Sequence, residues 1–158
     1  MTARYVTPGS STAFALTTAF KTLALVIPGA TLPVTIIEIG VSVDAGAGRF
    51  TVDLFESTQA GAGTAGASTG AKQTGGFVAG DTTGPLATYG VRYTAEPTVV
   101  TSLKTWIVPA PGPLVIQFPL GREPESLVSG ATKYKALGLR VLIDSGTPNA
   151  YGYIEWQE

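Results

Sequence analysis

The residues with the clearest potential for chemistry are two pairs of carboxylates. Asp53 and Glu56 form one pair, and Glu123 and Glu125 form the other. Glycoside hydrolysis uses two carboxyl groups that face each other across a cleft. Asp53 alternates with apolar neighbours in a predicted strand, which places it on a solvated face. Glu123 and Glu125 flank a proline in a predicted loop. Neither pair predicts a catalytic cleft.

Two residue types on which many catalytic sites depend are missing, because the chain has no histidine and no cysteine. Their absence removes the commonest general base, the commonest metal ligand and any thiol nucleophile. A serine nucleophile would then need a lysine or an N-terminal amine beside it, and no spacing suggests such a pair. We therefore expect no catalytic residues and no enzymatic activity.

Gly61, Gly63 and Gly66 reproduce the spacing of the dinucleotide-binding fingerprint. That fingerprint works at the start of a helix that receives the pyrophosphate, and no amphipathic helix or βαβ unit is predicted here. The match follows from a glycine-rich composition. Calcium binding by Asp44 or Asp144 is a second candidate, but neither turn has densely spaced acidic ligands. We expect neither a cofactor nor a bound metal.

Aromatic side chains could stack on sugars or nucleobases. The candidates are Tyr89, Tyr93, Trp106, Tyr151, Tyr153 and Trp156. Aromatic residues on strands more often pack in a core or on a sheet face, so the pattern favours packing. A module that binds carbohydrate or a receptor stays open as an alternative function, which an exposed aromatic cluster in a concavity would favour.

The elements that must position these residues are strands, because apolar and polar residues alternate along much of the chain. Residues 34–56 predict one β-hairpin, and residues 137–156 predict another at the C-terminus. Further strands are predicted at residues 23–27, 104–108 and 114–118. About eight strands in a single domain over residues 1–158 predict an all-β fold, an antiparallel β-sandwich of jelly-roll type.

Residues 57–85 differ from the rest of the chain because they are rich in Gly, Ala, Thr and Ser. Phe77 and Val78 are their only large apolar residues, so the segment cannot bury enough surface to order itself. We predict a long loop insertion that becomes ordered against a neighbouring subunit, with Phe77 and Val78 as anchors. A second loop is predicted around Glu96 and Pro97.

Charge is sparse and balanced, with ten Lys plus Arg, eleven Asp plus Glu and a net charge of −1. This leaves no basic surface for nucleic acid. No stretch approaches the roughly 20 apolar residues of a membrane-spanning helix. Charged residues make up 13% of the chain, against about 25% in typical soluble domains. Large uncharged surfaces tend to be interfaces, so we expect a homo-oligomer, either a trimer or a lattice.

Several short phrases of the sequence together resemble a known group of proteins. They are IEIGVSVD at residues 37–44, ESTQAGAGT at 56–64, YTAEPTV at 93–99, PLGRE at 119–123 and YIEW at 153–156. In this order they resemble small virion-associated proteins of tailed bacteriophages, particularly phages of actinobacterial hosts. The resemblance implies a β-sandwich head or decoration protein without catalytic residues. Such a protein sits on the capsid surface of a virion that is assembled in the host cytoplasm.

The resemblance also implies partners, namely the major capsid protein or other virion subunits. The expected function is capsid decoration or cement, in which many copies stabilise the shell through multivalent contacts. We expect loop residues to make these contacts, with Arg122 as the charged anchor. The predicted interface residues are Phe77, Val78, Glu96, Pro97, Arg122 and Glu123. A tail-associated structural protein is a close alternative.

Overall fold

The computed structural model describes residues 3–7, 14–46, 48–67, 72–75, 87–129 and 133–158. Within these residues all regular structure is β, as the two-residue alternation predicts. The strands are β1 (Arg4–Val6), β2 (Phe14–Ala15), β3 (Lys21–Ile27), β4 (Thr35–Val43), β5 (Arg49–Ser57), β6 (Thr64–Ala67), β7 (Lys72–Gly75), β8 (Thr88–Ala95), β9 (Val99–Pro109), β10 (Gly112–Gln117), β11 (Val128–Ser129), β12 (Lys133–Tyr134), β13 (Ala136–Ile143) and β14 (Asn149–Gln157).

These strands form two six-stranded sheets and one short ribbon. The order in the first sheet is β10-β4-β14-β1-β7, with β2 also paired to β14. The order in the second sheet is β6-β8-β3-β13-β5-β9, and β11 pairs with β12. All the described strand pairs are antiparallel. One apolar core contains side chains from both sheets, so the fold is a β-sandwich.

A subset of the strands has jelly-roll connectivity. Its members are β1, β3, β4, β5, β9, β10, β13 and β14. Numbered one to eight along the chain, they lie in the order 1-8-3-6 in the first sheet and 2-7-4-5 in the second. This is the arrangement of a jelly roll, in which two Greek keys are wound together. The predicted jelly-roll sandwich is confirmed, and β6, β7 and β8 extend its sheets beyond β3 and β1.

The two predicted hairpins are wrong, although their strands lie where the alternation placed them. β4 belongs to the first sheet and β5 to the second, and β14 and β13 are divided in the same way. Alternation shows that one face of a strand is buried, but it does not show which strand lies beside it. At the corner between β4 and β5, Asp144 Oδ1 accepts hydrogen bonds from the N–H groups of Gly48 and Arg49 at 3.2 and 3.3 Å.

Strands also occupy part of residues 57–85, for which the sequence predicts one long loop. The structure corrects that prediction, because β5 extends to Ser57 and both β6 and β7 lie inside the segment. β6 pairs with β8, and β7 pairs with β1, so neighbouring strands supply the backbone hydrogen bonds of these two strands. Phe77 and Val78 lie outside the described residues.

The main core lies between the sheets and consists of the alternate side chains that point inward. β5 contributes Phe50, Val52 and Leu54, and β13 contributes Leu139 and Val141, all without exposed surface. Each such side chain stabilises the fold by about 1.5–3 kcal/mol relative to its exposed state. The core therefore fixes the neighbouring strands β5 and β13. The edge strand β9 pairs with β5.

A second apolar cluster covers the outward face of the second sheet. Leu25, Gly138 and Phe55 are cross-strand neighbours there, and Leu25 and Phe55 pack with Ala62 and Tyr93. A Cβ at Gly138 would collide with the side chains of Phe55 and Leu25, so glycine lets the two large residues meet. Burial raises the pKa of Tyr93 to about 12. β5 is consequently buried on both faces in this part of the sandwich.

Candidate functional site

One terminal strand of each sheet lies on the same side of the sandwich. β9 ends the second sheet, β10 ends the first, and the corner at residues 110–111 joins them. No described strand pairs with the outer edge of either one. Residues 105–117, which we call the open edge, contain no charged residue. An edge strand without charge is a ready template for another chain.

Apolar side chains of the open edge reach the protein surface. The inward-pointing side chains at this side are only half-buried. They are Trp106, Val108, Leu114 and Ile116. On the outward faces, Ile107 is 66% exposed and Val115 is 57% exposed. The core thus continues to the surface between two strands whose outer edges are unpaired, and such a surface is typical of a contact with another protein.

Lys104 and two prolines limit where another strand could pair. Lys104 Nζ lies 6.0 Å from the ring centroid of Trp106 and 5.9 Å from that of Phe118, at one end of the open edge. An inward-pointing cation is a device that protects sheet edges. Pro109 and Pro113 lack an N–H at the corner between the two strands. The backbone that is accessible for pairing lies between these features.

A groove of about 340 Å³ opens beside Lys104, at the end of the open edge. Leu103 and Leu127 line it and are 38% and 59% exposed. Arg122, the predicted charged anchor, also lines this groove. A guanidinium beside exposed leucines can bind a carboxylate while the leucines bury apolar surface. The structure therefore places Arg122 next to the open edge.

The predicted contact loop is built around a tight turn at residues 119–122. The Arg122 N–H donates to the Pro119 carbonyl at 3.0 Å, and Gly121 has a φ of +80°, as the third residue of a type II turn requires. This geometry leaves Leu120 88% exposed at the tip. Glu123 lines a second groove of about 420 Å³ beside the same turn. Arg122 and Glu123 thus line neighbouring grooves.

Glu96 and Pro97 have contacts within the chain itself. Glu96 Oε2 accepts hydrogen bonds from the backbone N–H of Thr22 at 2.9 Å and from its hydroxyl at 2.6 Å. The pairing of β8 with β3 ends at Val91, just before Arg92, whose φ is 53°. Beyond that point the Glu96 carboxylate, and not a strand, accepts the hydrogen bond from the backbone of β3 at Thr22. Pro97 is buried. The structure does not bring this loop into either groove beside Arg122.

Asp53 does not lie on a solvated face, and that prediction is wrong. It points away from the main core, yet it is only 1% exposed. Its carboxylate accepts hydrogen bonds from the hydroxyls of Ser102 and Thr105 and, at 2.7 Å, from Arg140 Nε. The Arg140 guanidinium lies 4.0 Å from the ring centroid of Phe20. This network binds β9 to β5 and β13, so Asp53 supports the open edge.

The other residues considered for chemistry have structural surroundings. β6 begins at Thr64, inside the glycine fingerprint, and the described residues that follow are extended. The Asp144 carboxylate holds the corner between β4 and β5, and the backbone hydrogen bond from Arg49 lowers its pKa. Among the described residues, no cluster of three or more Asp or Glu side chains could hold a metal ion.

The aromatic residues occupy contrasting environments. Trp156 is fully buried, with the Tyr5 and Tyr89 ring centroids 5.8 and 5.9 Å away. Tyr151 and Tyr153 are half-buried on the outward face of the first sheet. Packing in the core accounts for Trp156 and its neighbours, whereas Tyr151 and Tyr153 are accessible to a ligand.

The open edge is the feature that sequence reasoning missed. Its signal was present in the uncharged run from residue 105 to residue 117. The sequence does not show whether those strands lie at the edge or in the middle of a sheet. An uncharged strand in the middle of a sheet is paired on both sides and needs no partner from another chain.

Comparison of the chain with protein-family models, with curated proteins and with solved structures finds no match. No helix in the part of the chain that the structure describes has the length and hydropathy to cross a membrane.

Proposed function

We propose that this chain is a structural subunit of a bacteriophage virion, where it binds the capsid surface as a decoration or cement protein. The observation that carries the proposal is the open edge, where the outer edges of β9 and β10 are unpaired, residues 105–117 carry no charge and half-buried core residues lie between the two strands. The resemblance of several sequence phrases to virion-associated proteins supports the virion setting. The partner is the major capsid protein, another virion subunit or a second copy of the chain.

The open edge supplies two kinds of contact at once. A strand added to β9 or β10 would satisfy backbone groups that are otherwise unpaired, which is the usual source of affinity in strand addition. Trp106 and Ile107 would supply selectivity. Their side chains point to opposite faces of the sheet, so each would contact a different face of the added strand. The groove beside Arg122 extends this surface at one end.

The edge is held in place before any partner binds. Asp53 ties β9 to the neighbouring strands, and the Lys104 ammonium lies near the rings of Trp106 and Phe118. A preformed contact surface loses little conformational entropy on binding. Each copy then needs only a modest interface, because a lattice of many copies converts weak contacts into strong overall attachment.

The proposal is tested by placing a charge on the open edge. Ile107→Asp should lower self-association and binding to purified virions by about tenfold or more, because the carboxylate would be desolvated at the contact. Leu32→Asp is the matched control, since Leu32 is 40% exposed and lies between β3 and β4. Sedimentation velocity and co-sedimentation with virions measure the two quantities. Unchanged association of the Ile107 variant, or equal loss in both variants, would contradict the proposal.

A further inference from the structure

The outward face of the first sheet carries three cross-strand rows of side chains. The rows are Pro113-Ser42-Tyr151, Val115-Gly40-Tyr153 and Gln117-Glu38-Glu155, each running across β10, β4 and β14. Because the strands are in register, the members of a row are direct neighbours, and successive rows lie on the same face. The first two rows are aromatic, apolar and small, and the third is polar.

A shallow groove of about 300 Å³ lies over the first two rows. Tyr151, Tyr153 and Val115 line it, and Gly40 and Ser42 form part of its floor. A Cβ at residue 40 would collide with the Tyr153 ring, so the ring lies across the glycine. The absence of a side chain at Gly40 thus makes a flat aromatic surface possible in the middle of a sheet face.

The Tyr153 ring is held at both ends before any ligand binds. Its hydroxyl donates a hydrogen bond to Glu38 Oε1, and its ring rests on Gly40. Burial, reinforced by the Glu38 hydrogen bond, raises the pKa of Tyr153 to about 12, so the hydroxyl remains a donor over the whole neutral range. An aromatic ring that is already fixed loses little side-chain entropy when a ligand stacks on it.

The charges around the groove restrict the class of ligand. The ionisable carboxylates in these rows are Glu38 and Glu155, and neither Lys nor Arg occurs in them. Beyond these rows, β1 places Arg4 beside Gln157, and β7 places Lys72 beside Val6, the β1 partner of Glu155. The Glu38 carboxylate, which accepts from the Tyr153 hydroxyl beside the aromatic surface, disfavours phosphate, sulfate and uronic acid groups by like-charge repulsion. A neutral ligand with many hydroxyl groups meets no such repulsion.

We propose that this groove binds a neutral oligosaccharide. The C–H face of a pyranose ring stacks on the Tyr153 ring, and Tyr151 forms the wall beside it. The Ser42 hydroxyl, the Gln117 amide and the second oxygen of Glu38 are the groups that bind sugar hydroxyls. Ser42 lines the groove, whereas Gln117 and Glu38 belong to the next row on the same face. An apolar lining with a few polar groups beside it is the usual composition of a small-ligand site, and the volume suits one or two sugar rings.

The test uses the full chain on a printed array of neutral and acidic oligosaccharides, followed by calorimetry with the neutral oligosaccharide that binds best. Tyr151→Ala should weaken binding by about tenfold or more, because it removes the aromatic wall that the stacked sugar packs against. Tyr134→Ala is the matched control, since Tyr134 is also half-buried but lies in β12, outside the first sheet. It should bind like the wild type. Thermal unfolding of both variants establishes that they are folded.

Several results would overturn the proposal. They are a wild-type chain that binds no neutral oligosaccharide on the array, a preference for acidic oligosaccharides, and affinity that Tyr151→Ala leaves unchanged. Loss of self-association in the Tyr151 variant without any sugar binding would show that the face is a subunit contact instead. Ile107 lies in the second sheet and does not line the groove, so Ile107→Asp should retain sugar binding even where association is lost, and the two proposals can fail separately.

Discussion

Arg140 Nε lies 2.7 Å from Asp53 Oδ2 on the outward face of the second sheet, with the Asp53 side chain 2% exposed and that of Arg140 20% exposed. The pair joins the neighbouring strands β13 and β5. The same carboxylate accepts hydroxyl hydrogen bonds from Ser102 and Thr105 of β9. One buried anion therefore links three strands, of which the last forms half of the open edge.

Replacing Asp53 should destabilise the fold. Asp53→Ala should lower the free energy of unfolding by about 2–4 kcal/mol, because it leaves the Arg140 cation and two hydroxyls without their acceptor. Asp53→Asn should cost less, since the amide oxygen still accepts. Urea denaturation measures both effects. Arg49→Ala is the control, because it breaks an ion pair with Asp144 in which the Arg49 side chain is 66% exposed, and its midpoint should hardly move. An Asp53→Ala chain as stable as the wild type would refute the structural role.

Asp53 also shows where sequence reasoning succeeds and where it stops. Alternation correctly predicted that the residue points away from the main core. Its burial comes from Ser102 and Arg140, which lie 49 and 87 residues away in the sequence, and no local pattern shows such contacts. For the same reason the strands around Trp106 and Leu114 were predictable, whereas their meeting at one open side was not. Both features depend on which strands pair in the folded chain, and the local sequence pattern does not show that pairing.

Glu96 is expected to stabilise the chain whether or not a partner is present. Glu96→Ala should lower the free energy of unfolding by about 1–3 kcal/mol, because the buried N–H and hydroxyl of Thr22 lose their acceptor. Hydrogen exchange at the Thr22 amide should become faster, and Glu96→Gln should restore part of the protection. A variant with unchanged stability but weaker association would instead support the sequence prediction that Glu96 contacts a neighbour.

Tyr153 gives the fold a dependence on alkaline pH. Its pKa rises from 10.0 to about 12 on folding, first through burial and then through Glu38, so its stabilising effect is complete below pH 10 and is lost as the pH rises toward 12. The wild type should therefore lose more stability across this range than Tyr153→Phe, as measured by thermal unfolding. Tyr93→Phe should behave similarly, because burial raises that pKa to about 12 as well. Tyrosinate absorbance that shows Tyr153 ionising near pH 10 would contradict this expectation.

Gly138 should tolerate no side chain. Gly138→Ala should lower the free energy of unfolding by about 1–3 kcal/mol, because the added methyl group overpacks the contact between Phe55 and Leu25. Gly112→Ala is the matched control in an edge strand, where a new Cβ would meet its nearest atom, the Pro109 carbonyl oxygen, at 3.5 Å. Thermal unfolding should separate the two variants clearly. Equal midpoints would show that the outward cluster can relax.

A ribosome releases β14 after every other strand described here, yet β14 lies in the middle of the first sheet, paired with both β4 and β1. β13, made just before it, holds the matching place between β3 and β5 in the second sheet. During synthesis both sheets therefore lack a central strand. The apolar strands made earlier cannot complete their pairing until β13 and β14 have been synthesised. Long-range pairing of this kind is slow and leaves unpaired edges exposed to aggregation. The sandwich should consequently form as one event once β14 has been synthesised, and chaperones that shield nascent strands should raise its yield.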